Sequence, residues 1–242
     1  MQKYRGLTLF PGVRVISPQK NDAYKPLGGL RLKNPPIHII NNLEARLNAL
    51  GTLPPIMYAA PTIYNERDAM IVYAFQIGHR CQAILNAIYP QIEVTFQTEW
   101  SYFDGIHVDA CVDLLWRVEV GGVYHKLGFT EFKRPNSIRL AEWEEGVGGT
   151  GELGDHAAEQ SQQLTRYHHY LKTRKSQFTD LVNTIQIDLV GDPSRLQKAA
   201  GGGDYAMASV WFTRNSTAPG GDSLVQSTLI FLHECLGDGG WI

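Results

Sequence analysis

Residues 108–133 of the chain, VDACVDLLWRVEVGGVYHKLGFTEFK, decide the expected fold. Apolar and β-branched residues dominate both sides of Gly121-Gly122, a dipeptide typical of a tight hairpin turn. We therefore predict one strand from Val108 to Val120, a turn at the two glycines, and a second strand from Val123 to Lys133. Pro135 closes the second strand, because proline cannot donate a hydrogen bond to a sheet ladder.

The turn also predicts which acidic residues face each other. A loop of two or three residues pairs positions whose numbers sum to 243 or 244, which sets Glu131 opposite Val112 or Asp113. Residues in such positions lie at the pairing distance of neighbouring strands. Asp109 would need a sum of 240 and a turn that begins before Gly121. Asp113 is therefore the predicted carboxylate partner of Glu131.

A helix is predicted before the hairpin. Thr62 or Asn65 can cap its N-terminus, and Pro90 ends it. One line of residues at steps of three and four is apolar except in its first turn: Glu66, Met70, Tyr73, Ile77, Cys81, Ile84 and Ile88. Between this helix and the hairpin, residues 92–96 alternate apolar and polar side chains, which predicts a half-buried strand.

One helix and three strands are predicted beyond the hairpin. Residues 136–155 are rich in glutamate and glycine and are interpreted as an acidic, mobile loop. The helix runs from about Asp155 to Arg174, with Lys172, Arg174 and Lys175 at its C-terminal end. The predicted strands are Thr184–Val190, Ala206–Thr213 and Leu224–Leu232, the last two separated by a Gly/Pro turn at 218–222.

The N-terminal quarter has a different composition. Residues 1–61 are dense in proline and glycine, which prevents long helices or strands. One short helix is predicted from Asn41 to Leu50, where leucines recur at helical spacing. We therefore divide the chain into an N-terminal arm or cover, residues 1–61, and one domain, residues 62–242, whose size allows one sizeable core.

Glu131 and Lys133 are two residues apart on a predicted strand, so both side chains point to the same face of the sheet. Two carboxylates and an ammonium on one face are costly unless something compensates for the charge. A divalent cation does so, and Mg²⁺ prefers one or two carboxylates completed by water and phosphate oxygens. Such an ion lowers the pKa of bound water and neutralises charge that develops on a phosphate.

These residues resemble the PD-(D/E)xK nuclease superfamily. The predicted order is α-βββ-α-β, with Asp113 on the second core strand and Glu131-Phe132-Lys133 on the third. The segment Gln163-Leu-Thr-Arg-Tyr167 is similar to the Gln-x-x-x-Tyr signature of the exonuclease-like branch, and Glu66 occupies the place of an acidic residue that members often carry on the first helix. The resemblance covers residues 62–190, with Val112 where the family name has proline.

The resemblance implies a restriction-endonuclease-like α/β (α+β) fold, with a mixed central sheet flanked by helices and extra C-terminal strands. It implies a nuclease that hydrolyses phosphodiester bonds with Mg²⁺ or Mn²⁺ and whose partner is a nucleic acid, DNA or RNA, with DNA expected. Asp113, Glu131, the carbonyl of Phe132 and Glu66 would hold the metal. Lys133 would position the attacking water, and Gln163 and Tyr167 would orient the site; Gln160 and Gln162 take their place if the helix is rotated.

The overall charge does not indicate a nucleic-acid-binding surface. Twenty-two basic and 24 acidic residues give a net charge of −2, so phosphate binding requires a local basic patch. The candidates lie near the motifs in sequence, although ordinary surface charge is an equally good interpretation: Lys126, Arg134, Arg139, Arg166, Lys172, Arg174 and Lys175.

Cysteine usage and hydropathy predict the compartment. Cys81, Cys111 and Cys235 are far apart and match no metal-ligand spacing, so we expect free thiols in a reducing environment, two or three of them buried. No apolar run is long enough for a signal peptide or a membrane span. We therefore expect an intracellular protein, cytoplasmic or nuclear, with no membrane partner.

Other interpretations stay open. The same fold could be a catalytically inactive nuclease relative that acts as a nucleic-acid or protein binding module, or an unrelated α+β protein with a surface salt-bridge cluster. Gly201-Gly202-Gly203 is expected to be a flexible turn, since it matches no phosphate-binding loop. Five histidines are expected on the surface, because their spacing suits no compact zinc site: His107, His125, His156, His168 and His169.

Overall fold

A computed structural model describes residues 24–34, 37–50, 63–103, 108–148, 152–196, 206–214 and 224–242. It is an α/β structure in which a seven-stranded mixed sheet is flanked by helices. The predicted fold class is confirmed at this level. The turn at 218–222, Gly201–Gly203 and His107 lie outside the described residues.

The strands are β1 (Leu27–Leu32), β2 (Glu93–Phe103), β3 (Val108–Val120), β4 (Val123–Phe132), β5 (Lys175–Thr179), β6 (Asn183–Leu189) and β7 (Ala206–Arg214). The helices are α1 (Ile37–Leu50), α2 (Glu66–Tyr73), α3 (His79–Ile88), α4 (Leu140–Gly148), α5 (Asp155–Leu171) and α6 (Leu224–Asp238). A π-helical turn, Ala74–Gly78, joins α2 to α3, and Pro193–Arg195 form a short 3₁₀ turn.

The strand order across the sheet is β1-β7-β6-β5-β4-β3-β2. The β1–β7 and β4–β5 pairs are parallel, and the other pairs are antiparallel. Because β4 and β5 are parallel, the chain must cross over between them, and this crossover connection contains α4 and α5. This connection brings α5 over the face of the sheet where β4 ends.

Each face of the sheet is covered by a separate hydrophobic core. On one face, buried residues of α1, α2, α3 and α6 pack around Trp116 and Phe132. On the other face, α4 and α5 pack around Phe129 and Phe178, with Trp143 of α4 fully buried. Complete burial of each such large apolar side chain contributes about 1.5–3 kcal/mol, so the two cores hold the sheet from both sides.

The predicted hairpin and first helix are confirmed. Gly121 and Gly122 have φ values of 59° and 82°, the pair of positive angles that a tight type I′ turn requires. Asn65, one of the two predicted caps, accepts a hydrogen bond from the backbone N–H of Asp68 at 3.0 Å. At the π-helical turn, Gly78 packs so closely on Phe96 that an added Cβ would lie 3.1 Å from its ring.

The prediction of a strand at Leu224–Leu232 is wrong, because this segment is the first part of helix α6. Leu229, Ile230, Phe231 and Leu232 are consecutive and all buried. A helix that is surrounded by other elements loses the polar face whose period identifies it, and its apolar run then resembles a buried strand.

Two further boundaries differ from the prediction. Residues 140–148 of the supposed mobile loop form helix α4, anchored by the buried Trp143. Helix α5 ends at Leu171, since Lys172 adopts a left-handed conformation with φ of 59°. Lys175 then begins β5, a strand of polar sequence that the apolar pattern did not reveal, and it is β5 that follows α5 rather than Thr184–Val190.

Part of the predicted N-terminal arm belongs to the sheet. Residues 27–32 form the edge strand β1, which pairs in parallel with β7. The predicted short helix is present and begins earlier than expected, at Ile37. None of the helices in the described portions of the chain is long and apolar enough to cross a membrane.

Candidate active site

A β-bulge in the hairpin changes the register of β3 and β4, and the new register, continued by one pair beyond Leu114↔Thr130, sets Asp113 opposite Glu131. From Val120↔Val123 to Arg117↔Lys126 the paired numbers sum to 243, and from Trp116↔Gly128 to Leu114↔Thr130 they sum to 244. The extra residue, Leu127, is the bulge, and such an insertion shifts all subsequent pairs by one. Both predicted registers therefore occur. Without the bulge, Glu131 would face Val112 instead of Asp113.

Asp113 is fixed by the strand that carries Glu131. Its Oδ2 atom accepts a hydrogen bond from the backbone N–H of Phe132 at 2.8 Å. The Phe132 side chain points to the opposite face, where it is fully buried against the ring of Tyr73 at a centroid distance of 4.8 Å. The Asp113 carboxylate is therefore held beside the Glu131-Phe132-Lys133 segment. The side chain of Asp109 is outside the described residues.

Glu131 is the most buried of the three candidate acidic residues, with 3% of its surface exposed. Its Oε1 atom accepts hydrogen bonds from Gln163 Nε2 at 2.7 Å and from Lys133 Nζ at 3.1 Å. Its Oε2 atom is buried and has no hydrogen-bond partner among the described residues, although the carboxyl of Asp113 is close enough to share a proton with Glu131. A buried carboxylate oxygen without a partner costs free energy in a folded protein, so its position requires an explanation.

The electrostatics of the pair agree with this geometry. Burial, followed by the neighbouring charges of Asp113 and Glu66, raises the pKa of Glu131 to about 8 despite the opposing ammonium of Lys133. Burial also raises the pKa of Asp113, although the Phe132 N–H bond counteracts the change. The two carboxyls are therefore poorly stabilised as a pair of anions.

Lys133 lies against Glu131 and above the ring of Phe178, 5.8 Å from its centroid. Burial disfavours the charged ammonium, but the surrounding carboxylates outweigh that effect and raise the pKa of Lys133. Among the described residues, Lys133 carries the only ammonium or guanidinium group within ion-pair distance of Glu131. The predicted placement of Glu131 and Lys133 on one face is confirmed.

The two residues of the Gln-x-x-x-Tyr segment also reach the site. Gln163 Nε2 contacts both Glu131 Oε1 and Tyr167 Oη at 2.7 Å. Tyr167 is 4% exposed, and its ring packs edge-on against Phe129 at 5.8 Å. Of the alternatives, Gln160 instead contacts Trp143 and His156, away from Glu131. The helix is therefore oriented as the first interpretation required.

Glu66 differs from its expected position. It lies in the first turn of α2 and is exposed rather than buried along the core-facing line. Its charge nevertheless contributes to the raised pKa values of Asp113 and Glu131, so it borders the site. Glu66 is exposed because it is the first residue of α2, beyond the end of the buried apolar stripe.

A divalent cation fits two of the predicted ligands well. Two adjacent carboxyls, one with an unpaired buried oxygen, provide the donors that Mg²⁺ or Mn²⁺ uses when water and phosphate supply the other ligands. No cluster of three or more His, Cys, Asp or Glu side chains suited to a metal ion occurs in the described parts of the chain. Asp113 and Glu131 are the adjacent pair that could hold such an ion, and exposed Glu66 lies at the edge of the site.

A buried polar network beneath β4 was not predicted. Tyr73 Oη contacts Gln177 Oε1 at 2.6 Å and Thr228 Oγ1 at 2.8 Å, and Thr130 Oγ1 lies 3.4 Å from the same Gln177 oxygen. Thr130 immediately precedes Glu131, so the network fixes the strand from the face opposite the carboxylates. The one signal in sequence was the polar Thr-Glu pair in an apolar strand, whereas Gln177 lies on the unpredicted β5.

The predicted basic patch is only partly available to a ligand. Lys175 is 5% exposed and pairs with Asp188 at 2.8 Å, and Arg174 contacts the same carboxylate. The surface assignment of His168 is also wrong. It is fully buried between the Thr173 carbonyl and the Ser176 hydroxyl, and burial lowers its pKa to about 4.

No protein-family model matches this sequence, and no curated protein matches it.

Proposed function

We propose that this protein is a metal-dependent nuclease that hydrolyses phosphodiester bonds of DNA or RNA at the site formed by Asp113, Glu131 and Lys133. The principal support is the buried Oε2 atom of Glu131, for which the described residues supply no hydrogen-bond partner and which lies beside a second carboxyl and a lysine. A divalent cation would satisfy this oxygen and lower the cost of ionising both acids.

The arrangement of elements supports a restriction-endonuclease-like core. The α2–α3 helix, the β2-β3-β4 meander, helix α5 and strand β5 occur in the α-βββ-α-β order of the PD-(D/E)xK resemblance, with the short helix α4 as an addition between β4 and α5. Strand β5, parallel to β4, takes the last position of that order. The three free cysteines, Cys81 and Cys235 buried and Cys111 exposed, support the cytoplasmic or nuclear location that we propose with this function.

In this proposal each residue has a distinct role. Asp113 and Glu131, completed by the Phe132 carbonyl, hold the cation. The cation supplies Lewis acidity and a more acidic bound water. Lys133 donates hydrogen bonds to the attacking oxygen and to the phosphate, whose negative charge increases during in-line attack. Gln163, held by Tyr167, keeps the Glu131 carboxylate in one orientation, and exposed Glu66 contributes negative charge at the edge of the site.

The direct test is incubation of the protein with linear and circular DNA and with RNA, in Mg²⁺, in Mn²⁺ and in EDTA. We expect cleavage only with metal, and its loss in Glu131→Ala and Lys133→Ala. The exposed, matched control Glu93→Gln lies on the neighbouring edge strand and should cleave as the unmodified protein does. Cleavage that survives both active-site substitutions would refute the assignment.

A non-enzymatic binding module is the second candidate, favoured by the net charge of −2. A titration with Mn²⁺ separates a metal site from an inert cluster. We expect saturable binding that Asp113→Asn abolishes and Glu93→Gln leaves unchanged. Metal binding without cleavage of any substrate would support the binding module instead of the nuclease.

A further inference from the structure

Three aromatic side chains and a lysine form a surface next to the active site, which we call the aromatic track: Trp100 and Tyr102 of β2, Tyr170 of α5, and Lys126 of β4. The rings of Tyr102 and Tyr170 lie 5.2 Å apart, tilted by 34°. Lys126 Nζ is 4.6 Å from the centre of the Trp100 ring. The three rings are only partly buried, so each keeps part of its surface available.

The aromatic track is continuous with the carboxylates at two points. On α5, Gln163, Tyr167 and Tyr170 follow at steps of four and three, so they line one face of the helix from Glu131 outward. On the sheet, Trp100 pairs across the strands with Val112, the residue before Asp113. A chain molecule bound along the track would therefore meet the proposed catalytic residues at one end.

Lys126 forms no ion pair with an acidic side chain in the part of the chain that the structure describes. Its ammonium donates a hydrogen bond to the Leu171 carbonyl at 3.4 Å, and no carboxylate lies within ion-pair distance of it in the described parts of the protein. Burial lowers the pKa of Lys126, and the positive charge of exposed Lys172 nearby lowers it further. The ammonium of Lys126 lies over the Trp100 ring with a second cation nearby, and such a combination attracts a polyanion that carries planar groups.

We propose that the aromatic track binds single-stranded nucleic acid, with bases stacked on Trp100, Tyr102 and Tyr170 and a phosphate on Lys126. This inference rests on the proposed function and specifies its substrate as unpaired rather than duplex strands. Stacking requires bases whose faces are not already covered by a complementary strand, and sequence-independent single-strand binding proteins use this combination of rings and cations. The 3% exposure of Glu131 also favours a single, flexible strand at the site.

Binding is measured in EDTA, so that cleavage does not interfere, from the fluorescence anisotropy of labelled oligothymidylate, oligouridylate and a DNA duplex. We expect the single strands to bind about tenfold more tightly than the duplex. Trp100→Leu and Tyr170→Leu should each weaken single-strand binding about tenfold, while Tyr170→Phe, which keeps the ring, restores it. Lys126→Gln should reduce the slope of log affinity against log salt by about 0.7.

Matched controls come from the opposite face of the sheet. Phe75→Leu removes an aromatic side chain that is 56% exposed, and Arg46→Gln removes a cation that lies over the Tyr89 ring. Both should leave affinity unchanged, and thermal denaturation of every variant checks folding. Equal binding of duplex and single strands, the absence of binding, or equal losses in track and control variants would overturn the inference. Cleavage of the same oligonucleotides with Mn²⁺ tests the proposed function separately, since an inactive protein can still show track-dependent binding.

Discussion

Replacing Glu131 with glutamine should change how the stability of the metal-free protein depends on pH. The carboxyl has an ordinary pKa of 4.5, which the folded structure raises to about 8 because the group is buried and lies near Asp113 and Glu66. Between these values the folded state holds a proton that the unfolded state has released. Stability therefore falls as pH rises through this interval, the opposite of a salt-bridged carboxylate.

The magnitude follows from the linkage relation. One pKa unit corresponds to about 1.36 kcal/mol, so raising the pH from about 5.5 to 7.5 should cost the protein on the order of 2 kcal/mol through Glu131 alone. Glutamine has almost the same shape, donates or accepts hydrogen bonds at the same position and does not titrate. The Glu131→Gln variant should therefore lose the pH dependence and gain stability relative to the unmodified protein as pH rises.

Urea denaturation in EDTA at several pH values measures this difference directly. The control variant Glu93→Gln replaces an exposed glutamate on β2, two strands away from β4, and should follow the unmodified protein. Added Mn²⁺ should reverse the ranking at high pH, because the metal binds only the protein that carries the ionised carboxylate. If the unfolding free energies of the unmodified protein and of Glu131→Gln change in parallel across this pH interval, the raised pKa of Glu131 is refuted.

Three further substitutions probe the supports of the site. Gln163→Leu should weaken Mn²⁺ affinity about tenfold, measured by calorimetry, because Glu131 loses the donor that orients it; an unchanged affinity would show that this contact is unimportant. Gly128→Ala should destabilise the fold by about 1–3 kcal/mol in urea denaturation, since its Cβ would lie 2.8 Å from the Lys175 carbonyl oxygen; wild-type stability would contradict this packing. Gln177→Leu should cost about 1–3 kcal/mol for each hydroxyl left unpaired in the buried network, and a neutral thermal shift would indicate that the network relaxes.

The hairpin shows how much of the site could be predicted from the sequence. Residues 108–133 contain the strand pattern, the Gly-Gly turn and the acidic pair in one local segment, and the structure reproduces their bounds almost residue for residue. The choice between Val112 and Asp113 stayed open because the position of a bulge depends on how the strands pack. Helix α6 and strand β5 were missed for a related reason: burial on all sides removed the polar face of α6, and β5 is polar because it contributes Gln177 to a buried network.

Local sequence patterns were sufficient to predict the amphipathic α2–α3 helix, the hairpin, and the placement of Glu131 and Lys133 on one face. The burial, hydrogen bonds and pKa values of those residues depend on tertiary contacts. The bulge at Leu127 shifts the register toward a pairing of Asp113 with Glu131, and the crossover through α5 brings Gln163 to Glu131. One oxygen of Glu131 is buried with no hydrogen-bond partner in the part of the chain that the structure describes. The physical reason is that periodicity fixes the direction in which a side chain points, whereas register, burial and pKa depend on contacts between segments distant in sequence.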